Sequence, residues 1–239
     1  MANEQYVYVP SWHPDQVDVE IQQDEHHHLF RVLRKIRGDH IIIVNGKGAG
    51  AVAEICDITK EKTRCQILTV LESPRTSRYQ VHLAVGVIRR PRWEWLLEKT
   101  VELGVSTLIP LYSQFTLRNS SSPEREQKIM ISALKQCGRF TLPLLTKPIS
   151  FQEAIKKASG EKILLHYAPE VSYLSDLSLK GNEITLFIGP EGGFSKEEVA
   201  YADQENVQKA HLGNIRLRTE TAAINSAAYF TYWKKEVYP

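Results

Sequence analysis

One stretch of the chain, residues 186–194, narrows the possible folds more than any other. Just before and within it, Ile184, Leu186 and Ile188 alternate as one face of a buried strand does, and the run then ends in glycines and a proline. After it, Ser195 followed by Glu198 is typical of a capping box at the start of a helix. The sequence therefore predicts a loop between the carboxyl end of a strand and a helix, where open α/β sheets bind ligands.

The loop contains three glycines, a proline and a carboxylate. Glycine permits positive φ angles and lets the backbone approach a ligand closely, which applies to Gly189, Gly192 and Gly193. Pro190 stiffens the loop, and Glu191 places a carboxylate at its tip. An ordinary strand-to-helix turn requires only one glycine, so this composition favours a binding loop.

From residue 79 onward, strand patterns alternate with helix patterns. Strands are predicted at 81–87, 107–110, 162–166, 183–188 and 208–212. Helices are predicted at 93–104, 123–138, 150–160, after Ser195 and at 219–234. This order indicates an α/β domain with a mostly parallel sheet and helices on both faces.

The first 71 residues have a different pattern. Short alternating or β-branched runs occur at 6–9, 17–21, 41–44, 51–57 and 64–71, and residues 45–48 are typical of a hairpin turn. With one predicted helix, from His26 to Arg34, these runs indicate a small β-barrel at 1–71. Residues 72–78 carry no apolar periodicity and are interpreted as a linker to a second domain at 79–239.

Composition argues against several classes of protein. No apolar run approaches the ~20 residues of a membrane helix, and residues 1–10 lack the blocks of a signal peptide. The 3 cysteines form no CxxC pair, which argues against a disulfide framework and a zinc site. Three adjacent histidines at 26–28 make a poor metal cage, so we expect one to be buried and the others solvated. We expect a cytoplasmic protein without a bound metal.

Charge is informative only locally. The net charge is +2, from 30 basic and 28 acidic residues, and does not indicate a nucleic-acid binder. However, Arg31, Arg34, Lys35 and Arg37 fall within seven residues. This cluster fits docking to one RNA surface, with a solvated surface face as the alternative.

Two motifs together resemble a known family. The chain reads GPEGGF at 189–194 and LGNIRLRTETA at 212–222. In this order they resemble the SPOUT superfamily of methyltransferases, and in particular its ribosomal RNA small subunit methyltransferase E family.

The resemblance implies methylation of N3 of a uridine in small-subunit (16S) rRNA, with S-adenosylmethionine as the methyl donor. It implies a SPOUT domain with a deep trefoil knot after a PUA-like RNA-binding barrel. It also implies a homodimer with active sites between subunits. We expect the substrate to be an assembled or partly assembled ribosomal subunit.

S-adenosylmethionine carries no phosphate, so the protein loops that bind it must offer backbone donors and acceptors to its adenine. The glycine-rich loop and the turn at Leu212-Gly213 suit that requirement, and the strand end at 165–167 should line the same pocket. For His166 a structural role is the favoured alternative. The predicted cofactor-binding residues are Leu165, His166, Ile188, Gly189, Pro190, Gly192, Gly193, Leu212, Gly213, Ile215, Leu217, Thr221 and Ala222.

Uridine N3 carries a proton and is a poor nucleophile until that proton leaves. The enzyme needs a base, or donors that stabilise the anion spread over O2 and O4. Arg218 is the predicted donor, because it is fork-shaped and always charged, and because a cation at a helix N-terminus has no structural advantage. Glu191 and Glu220 are the candidate bases, although helix capping explains Glu220 equally well.

Candidate RNA contacts come from both domains. Phosphates are expected to meet the basic cluster of the first domain and the arginines that follow the strand at 81–87. Gln136, in the helix at 123–138, and Arg139, directly after it, are expected to assist, from the same or another subunit. The predicted contacts are Arg31, Arg34, Lys35, Arg89, Arg90, Arg92, Gln136 and Arg139.

Two other functions are weighed against methyl transfer. A non-catalytic RNA-binding assembly factor with a degenerate cofactor pocket has no need for Arg218 or for three loop glycines. A nucleotide phosphate loop would require a GKS/T element or a GxGxxG pattern, and the loop has neither. The methyltransferase is therefore favoured.

Overall fold

The computed structural model describes residues 5–73, 78–116, 121–168 and 170–233, which belong to two compact units. The first unit contains Met1–Arg75 and Met130–Leu142, and the second contains Thr76–Ile129 and Pro143–Pro239. The segment Met130–Leu142 thus groups with the amino-terminal strands, whereas the sequence patterns assign it to the second domain. The predicted bounds 1–71, 72–78 and 79–239 stay a prediction, and residues 74–77 of that linker lie outside the described residues.

The first unit is a curled five-stranded sheet. Its strands are β1 (Tyr6–Tyr8), β2 (Asp18–Ile21), β3 (His40–Val44), β4 (Gly50–Ile58) and β5 (Thr63–Leu71). They lie in the order β1-β3-β4-β5-β2, with β1 parallel to β3 and the other neighbours antiparallel. Two register shifts between β4 and β5 bend the sheet around a core that includes Val7, Leu29 and Ile43.

The helix predicted from His26 to Arg34 has different bounds. Helix α1 is Gln23–His27, and a π-helical turn at His28–Val32 follows it. The chain leaves this turn at Arg34, whose φ of 51° lies in the left-handed region. His26 is the one buried histidine of the three, and its Nδ1 lies 2.9 Å from Thr63 Oγ1, which confirms the expectation of a single buried histidine.

Glycine allows the segment Met130–Leu142 to pack closely within the first unit. A Cβ atom on Gly50 would lie 2.5 Å from a ring carbon of Phe140, so only glycine fits that position. The amide of Leu142 donates to the carbonyl of Gly46 at 2.9 Å. Gly46 belongs to the predicted hairpin turn, which does connect β3 to β4.

The second unit alternates strands and helices, as the sequence predicts. The strands are β6 (Gln80–Gly86), β7 (Thr107–Tyr112), β8 (Leu144–Leu145), β9 (Ile149–Ser150), β10 (Glu161–Leu165), β11 (Ser172–Tyr173), β12 (Glu183–Ile188) and β13 (Gln208–His211). The helices are α2 (Arg90–Leu103), α3 (Pro123–Cys137), α4 (Phe151–Lys157), α5 (Lys196–Gln204) and α6 (Thr219–Ala228), and α3 groups with the first unit from Met130 onward. A 3-10 turn lies at Leu174–Asp176, and a π-helical turn at Tyr229–Trp233 extends α6. Lys234, the predicted end of the last helix, lies outside the described residues.

The sheet of the second unit is parallel. Its strands lie in the order β11-β13-β10-β12-β6-β7-β8, and β9 pairs with β7. Each described pair is parallel, which confirms the predicted sheet. The five predicted strands form its centre, whereas the two-residue strands β8, β9 and β11 are too short to show a periodic pattern. The threading of a trefoil knot stays a prediction.

Helices cover the sheet in two groups. Helices α4 and α5 pack over Ala84, Leu164 and Phe187, around the ring of Phe151. Helix α6 packs against α2, β6 and β12. Because successive strand residues point to opposite faces, Leu186 and Ile188 point away from Phe187. Among the described helices, none is long and apolar enough to cross a membrane.

Candidate active site

The motif residues meet at a cavity of about 670 Å³ in the second unit. Its walls are the chain segments that follow the neighbouring strands β10, β12 and β13. The carboxyl ends of parallel strands lie at one edge of a sheet, so three segments that are distant in sequence become adjacent there. The cavity is lined by residues 165–167, 188–194, 211–213 and 215–219, together with Arg92 and Ala222.

The glycine-rich loop requires glycine for space as well as for conformation. A Cβ atom on Gly189 would lie 2.9 Å from the backbone carbon of Gly193, which no side-chain movement can relieve. Gly193 has a φ of 75°, and its amide donates to the carbonyl of Pro190 at 2.8 Å. At the end of β6, a Cβ atom on Gly86 would lie 2.4 Å from the nitrogen of Pro190. Backbone therefore packs against backbone on two sides of the loop.

Helix α5 fixes the far end of this loop. The hydroxyl of Ser195 accepts a hydrogen bond from the amide of Glu198, and Glu198 Oε2 accepts one from the amide of Ser195 at 2.8 Å. The predicted capping box is therefore confirmed. Glu198 Oε1 also accepts a hydrogen bond from the amide of Gln114 at 3.0 Å. One buried carboxylate thus ties the helix start to the segment after β7.

The last helix fixes the opposite wall of the cavity. Thr219 Oγ1 donates to the carbonyl of Gly189 at 2.9 Å, which joins the two sequence motifs directly. The amide of Gly213 donates to His211 Nδ1 at 3.2 Å, and the ring of Tyr173 lies 4.2 Å from that of His211. Both motif loops are therefore held by contacts inside the second unit.

The two candidate bases share one cation. Arg92 Nη1 donates to Glu191 Oε1 at 3.0 Å, and Arg92 Nε lies 3.5 Å from Glu220 Oε1. The side chain of Glu220 is 6% exposed, and its Oε2 atom is buried without a hydrogen-bond partner among the described residues. The sequence predicts Arg92 as a phosphate contact and gives no indication of these ion pairs.

Arg218 is in a different situation. It is the N-cap residue of α6, exposed, and lines the cavity. Its side chain has no ion-pair or hydrogen-bond partner in the part of the chain that the structure describes, whereas its backbone carbonyl accepts from the amide of Ala222 at 2.8 Å. Its guanidinium is therefore available to a ligand in the cavity.

The structure brings most of the predicted site residues together. The predicted cofactor-binding residues line the cavity with the exception of Thr221, which is half-buried on α6. Glu191 and Arg218 also line it, whereas Glu220 reaches the site through Arg92. Sequence reasoning missed Phe194, His211, Arg216 and Thr219, which flank motif residues in the chain.

His166 lines the cavity as a half-buried side chain. Burial lowers the pKa of His166 below its usual value, and the nearby Lys209 lowers it further. The neutral ring is thereby favoured. Among the described residues, no three His, Cys, Asp or Glu side chains are placed to hold a metal ion.

The other predicted RNA contacts lie outside the cavity lining. In the first unit, Arg31 and Arg34 are exposed, and the Arg31 guanidinium lies 5.1 Å from the centre of the Phe30 ring. Lys35 Nζ lies 3.9 Å from Asp39. Gln136 is exposed and Arg139 is half-buried in the same unit.

In the second unit, Arg89 is the exposed N-cap residue of α2. Arg90 Nε donates to Glu94 Oε1 at 2.7 Å. Arg125 binds the same carboxylate. The hydrogen bonds from the two guanidinium groups lower the pKa of Glu94 to about 2, with the larger effect from Arg125. The side chain of Arg90 thus already has an ion-pair partner. The side chains of Arg89 and Arg218 have none among the described residues.

Comparison with known proteins finds related sequences over most of the chain. The model of the RNA methyltransferase domain matches residues 75–231, and the model of the RNA methyltransferase PUA domain matches residues 21–68. A protein of Rickettsia conorii named ribosomal RNA small subunit methyltransferase E is 31% identical over 93% of both chains. A Bacillus subtilis protein of the same name is 28% identical over 89% of both chains.

Solved structures give the same result. A ribosomal RNA small subunit methyltransferase E from Neisseria gonorrhoeae, bound to S-adenosyl methionine, has a TM-score of 0.87 and 28% identity. The match covers 95% of this chain and 96% of that one. A putative methyltransferase from Legionella pneumophila, in complex with its bound cofactor SAM, has a TM-score of 0.85 and 29% identity, with coverage of 95% and 97%. The chain therefore belongs to the ribosomal RNA small subunit methyltransferase E family of RNA methyltransferases.

Proposed function

We propose that this protein transfers the methyl group of S-adenosylmethionine to N3 of a uridine in small-subunit (16S) rRNA. Family membership supports the methyltransferase activity, the cofactor and the class of RNA. The N3 position rests on the resemblance of the two motifs. The observation that carries the proposal is the cavity in which both motifs converge, with an unpaired arginine in its wall.

The residues around the cavity fit S-adenosylmethionine. Small-molecule pockets usually have volumes of about 300–1,000 Å³, a range that includes this cavity. Leu165, Ile188 and Leu217 offer apolar surface to an adenine ring, and the backbone of residues 189–193 is accessible at close range because a Cβ on Gly189 is sterically excluded. When bound, S-adenosylmethionine supplies a methyl group activated by a sulfonium centre.

Arg218 has the central part in the proposed mechanism. As the proton leaves uridine N3, negative charge spreads over O2 and O4, and a guanidinium can donate to one of these oxygens. A cation at the N-terminus of α6 opposes the helix dipole, so helix stability does not account for Arg218. Glu191, at the cavity wall, is the candidate proton acceptor, and Glu220 is the second.

RNA docking is proposed to use exposed cations away from the cavity. Arg31, Arg34 and Lys35 belong to one short segment of the unit that matches the PUA domain model. Arg89, Arg90, Gln136 and Arg139 are further candidates. Such phosphate contacts position an RNA without reading its sequence, so an assembled or partly assembled ribosomal subunit in the cytoplasm is the proposed substrate.

A homodimer with active sites between subunits is also proposed. Ala223 and Ala227 of α6 are fully buried within the chain itself, whereas Ala222, Ile224 and Tyr229 are half-buried and offer part of a contact surface. Sedimentation equilibrium at micromolar concentration should give twice the mass of one chain. A fully active monomer would contradict the proposal.

The direct test of function is mass spectrometry of small-subunit rRNA from cells with and without the gene. A uridine that carries an N3 methyl group should lose it in the deletion strain and regain it with the purified protein. Assembled subunits should be better substrates than free rRNA. An unchanged methylation profile, with S-adenosylmethionine bound but not consumed, would instead indicate the non-catalytic assembly factor.

A further inference from the structure

Arg92 joins three segments that are far apart in sequence. It lies in the first turn of α2, Glu191 lies in the glycine-rich loop, and Glu220 lies in the first turn of α6. The 3.0 Å hydrogen bond and the 3.5 Å ion pair come from different nitrogens of one guanidinium. Arg92 itself is 35% exposed and lines the cavity.

Local energetics do not explain this arrangement. A cation in the first turn of α2 opposes the helix dipole, as Arg218 does in α6. A buried carboxylate such as Glu220 needs a partner, and Arg92 supplies the only described ion pair to it. Glu220 Oε2 nevertheless lacks a hydrogen-bond partner among the described residues. The cluster is therefore not optimised for stability alone, which is common at functional sites.

We propose that Arg92 is a positioning residue for methyl transfer and does not contact RNA phosphates. Its two partners fix the tip of the glycine-rich loop relative to the start of α6. Arg218 precedes Glu220 by two residues, so the same contact sets where the Arg218 guanidinium lies relative to the loop. The inference rests on the proposed function, because it assigns Arg92 a part in that reaction.

The test compares Arg92→Met with Lys99→Met. Lys99 lies on the same helix and also binds two carboxylates, Glu98 at 2.6 Å and Glu102 at 2.8 Å, but does not line the cavity. Misplacement of a reacting group by about 1 Å can cost ~10²-fold, so kcat of Arg92→Met should fall by about 10- to 100-fold. Its KM for the ribosomal substrate and the salt dependence of RNA binding should stay at the wild-type values. Lys99→Met should keep the wild-type kcat.

A conservative variant keeps the test decisive if Arg92→Met does not fold. Arg92→Lys retains the charge but has no fork to reach both carboxylates, so its kcat should also fall below that of the wild type. An Arg92 variant could instead show a higher KM, an unchanged kcat and a slope of log affinity against log salt that is smaller by about one. That result would overturn the inference and would show that Arg92 contacts an RNA phosphate. A kcat loss that Lys99→Met shares would also overturn it. If the wild-type protein itself transfers no methyl group to small-subunit rRNA, the proposed function fails instead.

Discussion

The cavity of the second unit and the basic segment of the first, residues 31–37, are built in opposite ways. The loops around the cavity are held by contacts within their own unit, such as Thr219 to Gly189 and Glu198 to Gln114. The basic segment presents exposed arginines, with Arg31 stacked on Phe30. In the proposed function, the cavity therefore selects its ligand through fixed backbone geometry, and the basic segment attracts RNA through charge. Substitutions in the cavity should change shape and chemistry, whereas those in the segment should change the response to salt.

The largest effect is expected for Arg218→Ala. If the guanidinium stabilises the uridine anion only as N3 reacts, kcat and kcat/KM should both fall by ~10² to 10³, as for a lost oxyanion donor. The affinity for S-adenosylmethionine, measured by calorimetry, should change little. Arg218→Lys keeps the charge but loses the fork and should remain impaired. Higher pH ionises more of the uridine and should partly restore Arg218→Ala. A loss confined to KM would show that Arg218 only holds RNA.

Gly189→Ala should have the next largest effect, through shape alone. The added Cβ would meet the backbone of Gly193, and such overpacking costs about 1–3 kcal/mol. If the loop relieves this clash by moving away from its ligand-binding position, the same energy is lost from binding, which corresponds to ~5- to 150-fold in affinity for S-adenosylmethionine. Gly181→Ala is the matched control, since the nearest atom to its new Cβ is 3.9 Å away. Equal calorimetric affinities for the two variants would contradict a cavity defined by backbone packing.

Arg34→Glu tests the other side of the comparison. Loss of a phosphate contact should weaken binding to ribosomal subunits and reduce the slope of log affinity against log salt by about one. Lys60→Glu makes the same change of charge on the turn between β4 and β5 of the same unit and should keep the wild-type slope. Binding assays at several salt concentrations give both numbers. Indistinguishable slopes would make the basic segment an ordinary solvated surface.

The smallest effect concerns proton binding at the cavity wall. The folded state lowers the pKa of His166, mainly by burial, so the unfolded chain binds more protons between the folded value and the usual value of about 6.5. The stability that His166 contributes is therefore present above pH 6.5 and is lost as the pH falls through the folded value. Urea denaturation at pH 7.5 and pH 5.5 should show a smaller loss for His166→Asn than for the wild type. Equal losses of stability in the two proteins would show that burial of the His166 ring does not lower its pKa.

The sequence alone determined the features that depend on neighbouring residues. The capping box of Ser195 and Glu198, the hairpin turn at 45–48 and the five central strands of the parallel sheet were predictable. Each is encoded by contacts within a few residues or by a repeat of two along the chain. The two motifs also identified segments that line the cavity, because glycines in the sequence mark where the backbone needs space or a positive φ.

Tertiary structure alone decided the features that depend on distant residues. Strand β10 lies between β12 and β13, which brings the segment after it to the cavity, and residues 130–142 group with the first unit. Thr221 lies next to Ala222 in the chain, yet the turn of α6 leaves only Ala222 in the cavity wall. Nothing near Arg92 in the sequence indicates that Glu191 and Glu220 are its partners. Ion pairs between residues about a hundred positions apart follow from strand order and helix placement, and no short window of sequence contains that information.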